Sequence, residues 1–141
     1  MTEYVIDSSS VLAFAFGEPG ADIVVGIAAD DDNHLLISSV NMAEILAKMI
    51  DKGIPLDMAA EIISPLALEE IAFDHAQVQE SSTLREITRR SGLSLGDRSC
   101  LALGRTRKVP VLTSDRIWLG VAGDVGVEII ITRPDAGLRP H

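Results

Sequence analysis

The chain has 141 residues, 47% of them apolar and 23% charged, which suits one compact domain with a full hydrophobic core and excludes a disordered chain. No apolar run approaches the roughly 20 residues needed to span a bilayer, the start MTEYVIDSSS is acidic where a secretory leader is basic, and a single cysteine, Cys100, excludes an internal disulfide or a cysteine-rich zinc site. The expectation is a cytoplasmic protein without a membrane segment, and its net charge of −9 argues against a polyanionic partner unless the charges are unevenly spread.

In chain order, Tyr4, Val5 and Ile6 form a short buried strand that ends at Asp7. The serines at 8–10 then lead into the apolar segment VLAFAF, stopped by the turn at 17–20. A helix over 21–29 exits through the acidic residues 30–32, and Leu35, Leu36 and Ile37 make a second strand. Ser38 and Ser39 are N-cap candidates for a helix with Met42, Ile45, Leu46 and Met49 at i, i+3, i+4 and i+7, ended by Gly53. A helix over 56–64 and a weak strand over 71–73 follow. Residues 75–91 read as helical and are closed by Gly92, and 97–107 is a further helix. Strands over 109–113 and 127–131 complete the pattern, with a helix beginning near Arg116 between them. Short apolar strands alternating with helices predict a parallel sheet covered on both faces. One domain over 1–133 and a flexible tail over 134–141 are expected.

The charge is strongly segregated. Residues 1–47 contain eight acids and no Lys or Arg, whereas residues 82–116 contain eight bases against three acids. Two solvated helix faces would account for this, as would a basic rim beside an acidic, cation-binding floor.

In open parallel sheets, functional groups gather beyond the carboxyl ends of the strands, where strand order reverses. Asp7 follows the first strand, Glu44 lies early in the helix after the second, Asp97 starts the helix that feeds the fourth, and Asp115 sits two residues past Thr113. Carboxylates that share a site repel one another and stay ionised only if cations neutralise them. Mg²⁺ and Mn²⁺, which prefer oxygen ligands, suit that task. Each acid also has a purely structural explanation. Asp7 and Asp115 could cap the helices that follow them, Asp97 fits a capping box with Ser94, and Glu44 could form a solvated i, i+4 pair with Lys48.

The segments YVIDSS at 4–9, SSVNMAEIL at 38–46, LSLGDRSCLAL at 93–103 and VLTSD at 111–115, in that order and spacing, resemble the PIN domains, and in particular the toxins of VapBC-type toxin–antitoxin pairs. The resemblance covers nearly the whole chain. It implies a three-layer α/β/α sandwich with a five-stranded parallel sheet ordered 3-2-1-4-5, and a Mg²⁺- or Mn²⁺-dependent endoribonuclease that cuts by metal-activated water. Asp7, Glu44, Asp97 and Asp115 match the acidic quartet of that family and Ser9 and Thr113 its supporting hydroxyls. It further implies an RNA substrate, a homodimer and a cognate antitoxin.

Arg98 and Arg116, each beside one of the acids, are the candidates for phosphate contacts. Asn41 could support Glu44 or cap its helix. Trp118 and Cys100 read as core residues, and His34, His75 and His141 are scattered without ligand-like companions. Two other functions fit the pattern less well. A receiver-like phosphotransfer domain would phosphorylate Asp7, but Asp7-Ser8-Ser9 lacks a second acid and no lysine lies within residues 109–114. A PIN-like interaction module without catalysis would have no need of all four acids.

Overall fold

A computed structural model describes residues 1–134. The expected tail, beyond Pro134, lies outside the described residues. Five strands, β1 (Thr2–Ile6), β2 (Asn33–Ser38), β3 (Glu69–Ile71), β4 (Val111–Thr113) and β5 (Ile129–Ile131), form one parallel sheet in the order β3-β2-β1-β4-β5. The helices are α1 (Ser8–Phe16), α2 (Ala21–Ala29), α3 (Ser39–Asp51), α4 (Leu56–Ile63), α5 (His75–Ile87), α6 (Leu95–Arg107) and α7 (Ala122–Val125).

Both sheet faces are buried, and the pleat sorts their side chains by alternation. Val5, Leu36 and Val111 point into a core built with α5, α6 and α7 through Leu84, Leu101, Leu103 and Val125, and with Trp118 from the turn before α7. Ile6, Leu35, Ile37 and Leu112 point the other way, onto Val11 and Leu12 of α1, Val24 of α2, Ile45 and Met49 of α3 and Ala59 and Ile63 of α4. The chain winds outward from β1 to β3 with α1–α4 on one face, then returns to place β4 against the other side of β1 with α5 and α6 opposite. Right-handed crossovers of parallel strands require that exchange of faces. Strand order reverses between β1 and β4, and the Asp7 amide extends their ladder by donating to the Leu112 carbonyl oxygen (2.8 Å). Asp7 therefore stands in the crevice at the carboxyl edge.

Several boundaries differ from the sequence reading for physical reasons. β3 covers Glu69–Ile71, not 71–73. It is an exposed edge strand, so two glutamates serve where an apolar run was sought, and charge on an open edge discourages further pairing. Phe73 has left the sheet, its amide donating to Ser39 Oγ (3.0 Å). β4 and β5 are shorter than expected, beginning at Val111 and Ile129. The helix expected near Arg116 is a 3₁₀ turn, Arg116–Gly120, followed by the four-residue α7. No single helix among the described residues is long and apolar enough to cross a membrane.

Candidate active site

Asp7 occupies the N-cap position of α1 but makes no capping hydrogen bond. Its side chain turns inward, where Oδ2 accepts from Ser9 Oγ (2.7 Å) and Thr113 Oγ1 (3.0 Å). Only 4% of Asp7 is exposed. Burial pushes its carboxyl up from 3.8 to about 6. The two hydroxyls and a weaker attraction from the Ser9 amide oppose that shift, and the negative charge of Asp97 adds to it.

Glu44 is half-buried on α3. It forms no ion pair with Lys48, because Oε1 accepts instead from Asn41 Nδ2 (3.0 Å) and Ser8 Oγ (3.2 Å). Asn41 Nδ2 also donates to the Gly96 carbonyl oxygen (3.0 Å), tying α3 to the first turn of α6. The cap of α3 is Ser38, whose side chain accepts from the Val40 amide. Asn41 thus supports Glu44 and does not cap its helix.

Asp97 is the third residue of α6, and the capping box with Ser94 is formed in both directions: Asp97 Oδ2 accepts from the Ser94 amide (3.0 Å) and Ser94 Oγ from the Asp97 amide (3.1 Å). Capping and proximity to Asp7 coexist here, since the box engages one carboxylate oxygen. Asp115 follows β4. Its amide donates to Thr113 Oγ1 (3.1 Å), and its Oδ1 caps the 3₁₀ turn through the Ile117 amide (3.0 Å).

Cys100 registers how the acids are grouped. It is fully buried on α6, and its thiol is pushed up by burial and then by the charges of Asp7, Asp97 and Glu44. Three of the four predicted acids therefore act electrostatically on one buried point. Asp115 is tied to Asp7 through its backbone: Thr113 Oγ1 touches both Asp7 and the Asp115 amide, and Ser9 Oγ accepts from the Ser114 amide (3.0 Å).

Among the described residues, no three of these carboxylates are close enough to enclose an ion by themselves. The donor set still fits a hard divalent cation. All the donors are oxygens, no ion pair among the described residues engages them, and Asn41 Oδ1 is buried beside Glu44 without a partner. Mg²⁺ normally keeps several waters and takes only one or two carboxylates directly, so a loose ring with an unanswered acceptor suits it.

Sequence reading missed several residues at this site. Ser8 and Gly96 are two of them. A Cβ on Gly96 would collide with the Glu44 carboxylate, so glycine there lets that carboxylate lie against α6. A glycine in the first turn of a helix, where propensity disfavours it, was the available signal. Ser10, Ser114 and Thr132 add a further hydroxyl chain, Ser10 Oγ to Thr132 Oγ1 at 2.6 Å and Thr132 Oγ1 to Ser114 Oγ at 3.3 Å.

The basic segment is divided between the two edges of the sheet: α5 runs antiparallel to α6, so Arg85, Arg89 and Arg90 lie toward the Asp97 end, while others do not. Arg98 sends Nη1 to the Ser81 carbonyl oxygen of α5 (3.2 Å) and buries its Nε, so its guanidinium belongs to the α5–α6 contact. Arg105 pairs with Glu80 (3.2 Å). α6 ends just before β4 begins, so Arg105, Arg107 and Lys108 lie at the opposite, amino edge of the sheet. There they complement the helix dipole. Arg116 is exposed beside Asp115.

A doubly wound parallel sheet carrying a buried anionic crevice at its reversal point defines the class of the molecule. Residues 4–124 match the PIN domain family, and the chain belongs to that family. Its fold is shared with VapBC2 from Rickettsia felis bound to a DNA fragment from its promoter (TM-score 0.69, 15% identity, covering 92% of this chain and 98% of that one). It is likewise similar to VapBC-1 from nontypeable Haemophilus influenzae (0.70, 12%, 93% and 98%) and to VapBC-5 from Mycobacterium tuberculosis, a toxin–antitoxin family member (0.60, 22%, 93% and 99%). No curated protein matches the chain.

Proposed function

We propose that the chain is a Mg²⁺- or Mn²⁺-dependent endoribonuclease and the toxin of a toxin–antitoxin pair, acting in the cytoplasm as a homodimer. The observation that carries this reading is Asp7: a carboxyl inside the protein, raised to about 6, repelled by Asp97, with no cation paired to it among the described residues. A fold that retains such repulsion has room for a cation to relieve it. Structural neighbours described as VapBC complexes support an antitoxin partner.

In this reading Asp7, Asp97 and Asp115 hold the divalent ion directly or through water, and Glu44 completes the ring or orients the attacking water. Bound there, the ion supplies positive charge against the scissile phosphate and a water nucleophile at neutral pH. Ser9 and Thr113 fix the Asp7 carboxylate by donating to Oδ2. Ser8 and Asn41 hold Glu44 in the same way. Arg116 is placed to meet a phosphate at the rim.

Incubation of single-stranded RNA with the protein tests this. Cleavage is expected with Mg²⁺ or Mn²⁺, none with EDTA, and the new ends are 5′-phosphate and 3′-hydroxyl. Cleavage that persists in EDTA, or that leaves a 2′,3′-cyclic phosphate, refutes it. Gly96→Ala is a sharper probe of Glu44. The clash is with the end of a flexible side chain, so the protein should fold with a stability change below about 1 kcal/mol. Displacing Glu44 should lower the cleavage rate roughly 10–100-fold, the effect typical of disturbing an outer partner of a metal site.

A further inference from the structure

A groove of about 870 Å³ opens from the acidic crevice, sharing Ser9 and Ser114 with it. One side is a single face of α1, residues 9, 12, 13 and 16, which ends at the half-buried ring of Phe16. The other carries Lys48 of α3 and Lys52, the residue that caps its end, with Arg133 beyond β5. The two lysines are exposed and one helical turn apart, about 6 Å between Cβ atoms. They are also the first two cations of a chain whose preceding 47 residues have none. No ion pair among the described residues engages the three cations, and they outnumber the groove's acids, Glu18 and Asp51.

We propose that this groove is the track for single-stranded RNA leading to the scissile site, with Lys48, Lys52 and Arg133 on successive phosphates and a base against Phe16. The proposal rests on the nuclease reading and assigns its substrate path. An aromatic floor with cations along one wall is the general form of a single-strand site, because stacking tolerates any base while the charges follow the backbone. The groove also answers the charge problem posed by the composition. A protein of net charge −9 needs local cations to bring a polyanion against carboxylates. The arginines and lysine at the end of α6 stand at the opposite edge and Arg98 is committed to α5, whereas Lys48, Lys52 and Arg133 line the groove itself.

The test is binding of a labelled single-stranded oligoribonucleotide to Asp97→Asn protein in EDTA, across a salt series, with and without Lys48→Ala, Lys52→Ala and Arg133→Ala. All three are exposed, so unchanged melting temperatures will show that the variants fold. The triple variant should bind at least about tenfold more weakly, and the slope of log K against log salt should fall by about 0.7 per cation removed, about 2 in all. In the active protein the same changes should raise KM for a long RNA and leave kcat unaltered. Undetectable binding by the parent, or equal affinity and slope in all variants, overturns the proposal. Binding is read without turnover, so RNA that binds through these cations but is never cleaved would refute the nuclease reading alone.

Discussion

Asp7→Asn is expected to lower RNA cleavage by more than about 100-fold, exceeding the roughly 10–100-fold typical of losing an outer partner of a metal site, while making the metal-free protein more stable above pH 6. Asparagine can keep an oxygen on Ser9 Oγ and Thr113 Oγ1 and removes only the charge. The stability change follows from the raised carboxyl, which moves from 3.8 to about 6 in the fold. The folded protein then holds its proton more tightly than the unfolded chain. The stabilisation from the neutral carboxyl is complete below pH 3.8 and disappears as the pH rises to about 6. The interval corresponds to about 3 kcal/mol as an order of magnitude. The stability of Asp7→Asn minus that of wild type should therefore grow from near zero below pH 4 to a plateau above pH 6, measured by urea unfolding in EDTA. Mg²⁺ or Mn²⁺ should stabilise wild type on that plateau and leave the variant unchanged. Retained cleavage by Asp7→Asn, or a flat difference curve, would remove the basis for the metal site.

The largest loss of stability is expected from Trp118→Ala, about 3–5 kcal/mol. Trp118 is fully buried among the α5–α7 core residues and anchors the 3₁₀ turn, its amide donating to the Asp115 carbonyl oxygen (3.2 Å). The indole N–H is buried without a partner, so Trp118→Phe removes an unsatisfied donor and retains most of the packing. A loss below about 1.5 kcal/mol is expected there, in the range of a tolerated core exchange. Denaturation midpoints measure both. A loss under about 1 kcal/mol in Trp118→Ala would mean that the turn holding Asp115 does not depend on this ring.

The central strands and Asp7 were legible because each signal is local: a short apolar run, then an acid, then a helix. The sheet order came from the family resemblance, and the crossovers agree with it. β3 was misplaced because an edge strand does not need the apolar residues that were sought. The support of Glu44 by Asn41 was legible because the two stand three residues apart on one helix, whereas the roles of Ser8 and Gly96 depend on separate helices meeting at the sheet edge, which no periodicity along the chain records. Charge density along the sequence was only partly informative. Of the bases at 82–116, Arg105, Arg107 and Lys108 lie at the far edge and Arg98 turns toward α5, while Arg85, Arg89, Arg90 and Arg116 stay on the side of the acids. The two lysines that face the groove belong to a segment where nothing local marks them.

The pocket draws on Asp7 and on Asp115, at opposite ends of the chain, joined through Thr113, and Ser10 is bonded to Thr132. A partial polypeptide that has not yet reached Thr132 therefore lacks the bonds that close this crevice. On the proposed nuclease reading, the winding of the sheet delays activity until both flanks of the crevice, more than a hundred residues apart, have been made.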